Sequence, residues 1–285
     1  MKYVFHLAVV LAALCGQAPA RAEIDTNGPL PAITNLLTQV LKRAQTEDEN
    51  SRKFTERYHF EQTGITEVRN TEGRVKKRIE EAETNDGHPA AATPSAAGAT
   101  DPKAGTAAHS PKTHAASKQS KQEPEANSVE RNDFPVTSDL LARYDFTVLG
   151  HEGMNSRRTL VVDFKPIQGK KPEHDLKDKF INRTAGRLWI DAEDYAIARA
   201  TLHLIDRVKV VGGLAASVAT FTCDLQRERT PDGLWFLRNA NWHLEGREFL
   251  FPFIVDYHEE IRDLRPLPLI TISKNAPQQA AGRPD

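Results

Sequence analysis

Histidines and carboxylates are the residues of this chain whose types and spacing come nearest to chemistry. His258-Glu259-Glu260 opens like the H-E-x-x-H motif, in which two histidines hold zinc and the glutamate moves a proton. The second histidine is missing, because Arg262 stands four residues on. His203, His243 and His258 fall in three separate segments, so a shared metal site would need the fold to gather them. Strand histidines scattered in this way more often sit at a surface or rim. Asp191, Glu193 and Asp194 cluster tightly, but glycoside hydrolysis needs a second carboxylate across a cleft, and none is identifiable. A solvated acidic turn accounts for the cluster. No G-x-S-x-G elbow, no G-x-x-x-x-G-K-[ST] phosphate loop and no G-x-G-x-x-G turn occurs, and no C-x-x-C. Cys223 alternates with polar neighbours so as to point inward, where a thiol packs as a small hydrophobe. The expectation is a non-enzyme: no catalytic residues, no metal ligands and no cofactor.

Composition narrows the class further. The chain has 285 residues, 38 basic and 39 acidic side chains and a net charge of −1. That balance lacks the basic footprint of a nucleic-acid binder. Residues 1–22 read as a secretory signal peptide, with Lys2 before an apolar run from Val4 to Cys15 and Ala20-Arg21-Ala22 as a small-x-small cleavage site. The run is about twelve residues, too short to span a bilayer, so no transmembrane span is expected in the mature chain. Cleavage removes Lys2, Arg21 and Cys15, leaves Cys223 as the one cysteine and excludes an internal disulfide. A lipoprotein reading would instead acylate Cys15, but Leu14 precedes it where Gly, Ala or Ser is usual.

Residues 84–133 are rich in Ala, Pro and Lys, with Val129 as the one large hydrophobe. Such a stretch cannot bury enough apolar surface to offset its ordering entropy, so it reads as a disordered insert with a reach of roughly 40 Å. The tail 274–285 is similar. Residues 23–83 (a helix and a first hairpin) and 134–273 (the remaining strands) then form one domain of about 200 residues.

The folded part starts with Ile33, Leu36, Leu37, Val40, Leu41 and Ala44, an apolar stripe at helical period. Thr34 or Asn35 is placed to cap it, and the polar run Thr46–Arg52 should be its frayed end or a second polar turn. From Phe54 the period shortens to two. Alternating runs follow at Tyr58–Gln62, Val75–Ile79, Tyr144–Val148, Leu160–Phe164, Arg187–Asp191, Tyr195–Leu204, Phe221–Leu225, Trp235–Glu245 and Phe249–Ile261. Turn signals such as Thr71-Glu72-Gly73 and Thr230-Pro-Asp-Gly233 separate them. The expected fold is mainly β (α+β): a curved antiparallel sheet or unclosed β-barrel, with the N-terminal amphipathic helix covering its concave side.

Two uncharged runs remain. Phe249–Val255 suits a buried strand, with Pro252 at a bulge or edge. Val210–Ala219 suits a broad loop, either packed under a neighbour or exposed to a membrane or apolar ligand. If the sheet closes only partly, inward aromatics line an apolar cavity able to accept acyl chains. Alternation nominates Phe146, Phe164, Trp189, Phe221, Trp235 and Phe251.

The tract Gly186-Arg-Leu-Trp-Ile-Asp-Ala-Glu-Asp-Tyr-Ala-Ile-Ala-Arg199, the strand end Phe164-Lys-Pro166 and the hairpin Asp232-Gly-Leu-Trp235 resemble the LolA/LolB-like periplasmic lipoprotein carriers. The likeness is greatest to the branch known as outer-membrane lipoprotein-sorting proteins. It covers 24–83 loosely and 134–263 better, through degenerate strand patterns. The resemblance implies an unclosed barrel plugged by helices, and non-enzymatic shielding of a lipid or acylated lipoprotein in the periplasm. A protein-interaction or sensor module on the same fold, with envelope proteins as partners and no lipid, is the alternative. The long insert departs from the family pattern, and no arginine here matches the one that holds the carriers' helical lid.

Overall fold

The computed structural model describes residues 24–87, 136–169, 173–210 and 216–268. The expected signal peptide with Cys15, the tail 274–285 and nearly all of the expected insert at 84–133 lie outside the described residues. Only the start of the insert falls within them, where Thr84 and Asn85 end a strand.

Helix α1 (Ile33–Ala44) buries Leu36 and Val40, one turn apart on the expected stripe. Its cap differs from expectation. Ala32 holds the N-cap position with no side-chain hydrogen bond, and its carbonyl accepts the first helical N–H, from Leu36. Thr34 is already inside the helix, where its carbonyl accepts the Thr38 hydroxyl. The polar run beyond is neither frayed nor a single turn: α2 (Glu47–Arg57) is a full helix. Glu47, Asp48 and Glu49 in its first turn and Arg57 in its last complement the helix dipole. The ion pairs Lys53–Glu49 and Arg52–Glu56 link successive turns. Only Asn50 and Phe54 are buried, so Phe54 belongs to the helix and the two-residue period begins at Tyr58.

The strands are β1 (Tyr58–Arg69), β2 (Val75–Asn85), β3 (Tyr144–Met154), β4 (Arg157–Pro166), β5 (Thr184–Asp191), β6 (Ile197–Leu204), β7 (Val208–Val210), β8 (Ala216–Arg229), β9 (Trp235–Glu248) and β10 (Phe251–Pro266). Two short helices, α3 (Ser138–Leu141) and α4 (Leu176–Ile181), are capped by the Thr137 hydroxyl and the Asp175 carboxylate. The strands form one sheet in the order β2-β1-β10-β9-β8-β6-β5-β4-β3, with β7 paired to β8 and every pairing antiparallel. The first hairpin joins the last strand through the β1–β10 pairing, so the segments on either side of residues 88–135 contribute to one sheet. Among the described residues the edge strands β2 and β3 do not pair, so the sheet is unclosed.

Gly73 (φ 77°) and Gly233 (φ 93°) take the left-handed conformation that the two turn signals call for. The apolar run at 249 is shorter as a strand than expected, because Phe249 and Leu250 make the turn and β10 begins at Phe251. The loop read at 210–219 also shrinks: Val210 ends β7, Ala216 opens β8, and 211–215 fall outside the described residues.

Both long helices lie on one face of the curved sheet. Leu36 and Val40 of α1 pack on Leu160, Val162 and Ile190, with Phe146, Val148 and Leu188 at the border. Phe54 of α2 packs on Tyr58, Phe60, Phe236 and Ile261. The other face carries cross-strand ion pairs, Arg187–Asp163, Arg199–Asp224 and Arg69–Asp256. Burial of the first set against α1 and α2, and solvation of the second, fixes the register of each strand.

Candidate functional site: an apolar stripe beside the helices

Along β10 the side chains of Phe251, Phe253, Val255 and Tyr257 share one face by alternation. Register extends that face across the sheet. Tyr257 stands opposite Trp242 and Val255 opposite Leu244 on β9. Trp242 and Leu244 in turn face Cys223 and Phe221 on β8, and Cys223 faces Leu202 on β6. Two residues further along these strands are Ala240 and Leu225, which continue through Ala200 to Leu188 in the α1 cluster. The stripe is therefore on the helix-bearing face.

Apart from the exposed Phe251 its residues from Phe253 to Tyr257, with Trp242, Leu244, Phe221, Cys223 and Leu202, are half-buried, and none belongs to the clusters under α1 or α2. Trp242 and Tyr257 stack with centroids 5.3 Å apart, and Phe221 meets Phe180 of α4 edge-on at 6.1 Å. Phe253 lies over Gly246, where a Cβ would come within 2.8 Å of its ring. Burial pushes the Cys223 thiol up to about 12, with the Asp224 charge adding to the effect, so the sulfur packs rather than reacts.

The two ends of the stripe differ. At the inner end the Tyr257 hydroxyl donates to Glu259 (2.9 Å), which also accepts from Gln62 Nε2 (2.8 Å). Trp242 Nε1 is buried there without a hydrogen-bond partner. At the outer end Phe249, Leu250 and Phe251 are 61%, 86% and 77% exposed. Lone exposed hydrophobes are ordinary, but three consecutive ones make a patch.

The six cavity candidates do not line one space. Phe146 and Phe164 stay on the helix-bearing face, 6.1 Å apart, at the border of the α1 cluster. Phe221 joins the stripe, and Phe251 is at the exposed tip. Trp189 and Trp235 point to the opposite face. Arg199 lies 4.8 Å over the Trp189 ring, whose Nε1 donates to Glu152 (2.8 Å). Trp235 packs with Ala196, Ala198 and Met154, and donates from Nε1 to Asp194 (3.0 Å). Their neighbours Leu188 and Phe236 occupy the inward positions instead. The inner aromatics that sequence reasoning passed over, Trp242, Phe253 and Tyr257, were visible as a two-residue period in β9 and β10.

The acidic hairpin is not a solvated turn. Asp191 is fully buried. Arg157 donates to both its oxygens (2.5 and 2.8 Å), and the backbone N–H groups of Glu193 and Asp194 donate to Oδ1 (3.0 and 2.8 Å). Asp194 accepts from Arg229 as well as from Trp235. The carboxylates lock the turn against β4, β8 and β9.

The histidines come to the polar face. His203 is exposed opposite Thr222. His243 and His258 border an open trough of about 640 Å³ with Glu67, Asp224 and Asp256. His243 Nδ1 is 2.7 Å from Asp256 and His258 Nδ1 is 2.6 Å from Asn241, so each ring has a different partner. The Asp256 carboxylate raises the His243 imidazole above its ordinary value. Among the described residues no three His, Cys, Asp or Glu side chains are grouped to hold a metal ion.

No protein-family model matches the sequence, and no curated protein matches it. Among solved structures the chain is similar to a DUF1329 family protein from Desulfovibrio piger, with 13% identity, a TM-score of 0.30, and 81% of this chain and 92% of the other covered. It is similar to an outer membrane lipoprotein-sorting protein domain from Vibrio parahaemolyticus, with 13% identity, a TM-score of 0.32 and coverages of 84% and 96%. It is also similar to a LolA superfamily protein from Nitrosomonas europaea, with 10% identity, a TM-score of 0.29 and coverages of 81% and 94%.

Proposed function

We propose that this chain is a non-enzymatic cell-envelope protein that holds the acyl chains of a lipid or lipidated protein along the inner face of its half-barrel. The observation that carries this reading is the stripe that runs from the exposed Phe251 through half-buried Phe253 and Val255 to Tyr257, flanked by Phe221, Cys223, Trp242 and Leu244 and left outside both helical clusters. Six strand residues span roughly 20 Å, long enough to lay a long acyl chain against β10. Each methylene taken from water contributes about 0.8 kcal/mol, and the interaction is non-directional, so the stripe would select chain length over headgroup. The exposed tip gives such a chain an entry, and the buried Trp242 N–H offers a donor to a carbonyl at the other end. The signal-peptide reading of residues 1–22 supports a periplasmic location.

Brominated fatty acids, which quench indole fluorescence on contact, test the reading on delipidated protein. Binding should quench Trp242 and spare Trp189 and Trp235, which face the other side of the sheet. Trp242→Phe should abolish the quenching while a fluorescent acyl probe still binds. Val255→Glu, a charge on the stripe, should weaken binding of that probe by at least about tenfold. A delipidated protein that binds no acylated probe overturns the reading.

A further inference from the structure

We infer that two copies of this chain pair through β2 into one continuous sheet. Strand β2 is an edge, hydrogen-bonded among the described residues to β1 alone, and all of its 11 residues but Ile79 and Asn85 are exposed. Such an edge presents a row of unpaired backbone N–H and C=O groups, and proteins usually blunt it with interspersed charge. Here the charges are sorted by sign. Lys76, Lys77 and Arg78 precede Ile79, and Glu80, Glu81 and Glu83 follow it.

The sorting makes the edge complementary to itself. A two-fold axis perpendicular to the sheet requires some residue of β2 to stand opposite its own copy. With Ile79 on the axis, Arg78 faces Glu80 of the second copy on one side of the sheet, and Lys77 faces Glu81 on the other. Symmetry doubles both pairs, and no like charges meet. Moving the axis by one residue fails in either direction, because it sets Arg78 against Arg78 or Glu80 against Glu80. A parallel, in-register pairing fails too, with every charge beside its own kind. Directly opposed ion pairs stabilise a sheet and directly opposed like charges destabilise it, so the pattern selects one register and one orientation. Within one chain Arg78 already bridges Glu67 (2.7 Å) and Glu80 (3.5 Å), which holds its guanidinium on the face where the second Glu80 would arrive.

Sedimentation velocity of the full chain, at low salt and up to about 0.2 mM, suits an interface the size of one strand edge. The wild type should dimerise, and salt should weaken the dimer. Lys77→Glu/Arg78→Glu and Glu80→Lys/Glu81→Lys should each raise the dissociation constant at least about tenfold, because each sets like charges face to face. An equimolar mixture of the two variants should dimerise again, since all four contacts are then of opposite sign. The substituted side chains are exposed, so unchanged melting curves establish that both variants fold. Ile79→Cys supplies an independent measurement: oxidation should join two copies through the residue on the axis, whereas Ala82→Cys, opposite Lys76, should not cross-link. A wild type that stays monomeric, a mixture that fails to restore the dimer, or a dimer indifferent to these charges overturns the inference. The last outcome would assign the association to another surface.

Discussion

Asp191→Ala should lower the free energy of unfolding by about 3–5 kcal/mol, read as a shift in urea midpoint at pH 7. The size follows from what the carboxylate holds. It is fully buried and receives four hydrogen bonds, two from Arg157 and two from the turn N–H groups of Glu193 and Asp194. Truncation leaves the turn donors without an acceptor and Arg157 half-paired in a site with little water. The pH dependence distinguishes this from a mere packing loss. Burial by itself would raise the Asp191 carboxyl, but the Arg157 guanidinium and the two N–H groups outweigh it and hold the carboxyl below its ordinary value. A carboxyl depressed in the folded state contributes stability that is present above its unfolded value, near 3.9, and is lost as pH falls through the folded one. The gap between wild type and Arg157→Met should therefore be widest near neutrality and narrow below about pH 4. A gap independent of pH would show that the arginine contributes by its methylenes rather than its charge.

That lock also shows why the hairpin was misread. From sequence, Asp191, Glu193 and Asp194 are three acids at a tip, and acids at a tip are usually solvated. Glu193 does stay exposed, but the cations that draw Asp191 and Asp194 inward come from distant strands, Arg157 on β4 and Arg229 on β8. Nothing in the local pattern records such a partner. The strands themselves were legible because one face is apolar and the other wet, which leaves a two-residue period in Leu160–Phe164 and Phe221–Leu225. Helix α1 was legible for the same reason, with a stripe of six apolar residues. Helix α2 was not, since Glu47–Arg57 contains one large hydrophobe, and a single residue has no period. Alternation holds through β5, with Leu188 and Ile190 both toward α1, so Trp189 was misplaced by one residue of register rather than by any break in the strand. A tryptophan also invites an inward reading, whereas Trp189 is buried on the polar face by Arg199 stacked over it. The stripe on β10 was half legible. Its composition marked it as apolar, but only pairing with β9 and β8 shows that Phe253, Val255 and Tyr257 meet Trp242, Leu244, Phe221 and Cys223 on one surface.

The same scarcity of hydrophobes makes α2 the most sensitive element to a single truncation. Phe54→Ala should cost about 3–5 kcal/mol. Phe54 is 2% exposed and stacks on three rings, Tyr58 at 5.5 Å, Phe60 at 5.0 Å and Phe236 at 4.9 Å. Those rings come from β1 and β9, strands separated in the sheet by β10, so one side chain ties the first hairpin to the C-terminal strands. One turn earlier, Asn50 donates to the Trp235 carbonyl (2.6 Å) and accepts from the Trp235 N–H (2.9 Å), as a paired strand residue would. These two contacts are the helix's whole buried face, so losing the larger leaves no second apolar residue to share the cost. Phe54→Leu, which keeps part of the volume but none of the stacking, should fall between wild type and Phe54→Ala. Lys53→Ala, which removes only the exposed pair with Glu49, should leave the urea midpoint where it was. If Phe54→Ala and Lys53→Ala shift the midpoint equally, α2 is held by its surface charges and the ring stack contributes nothing.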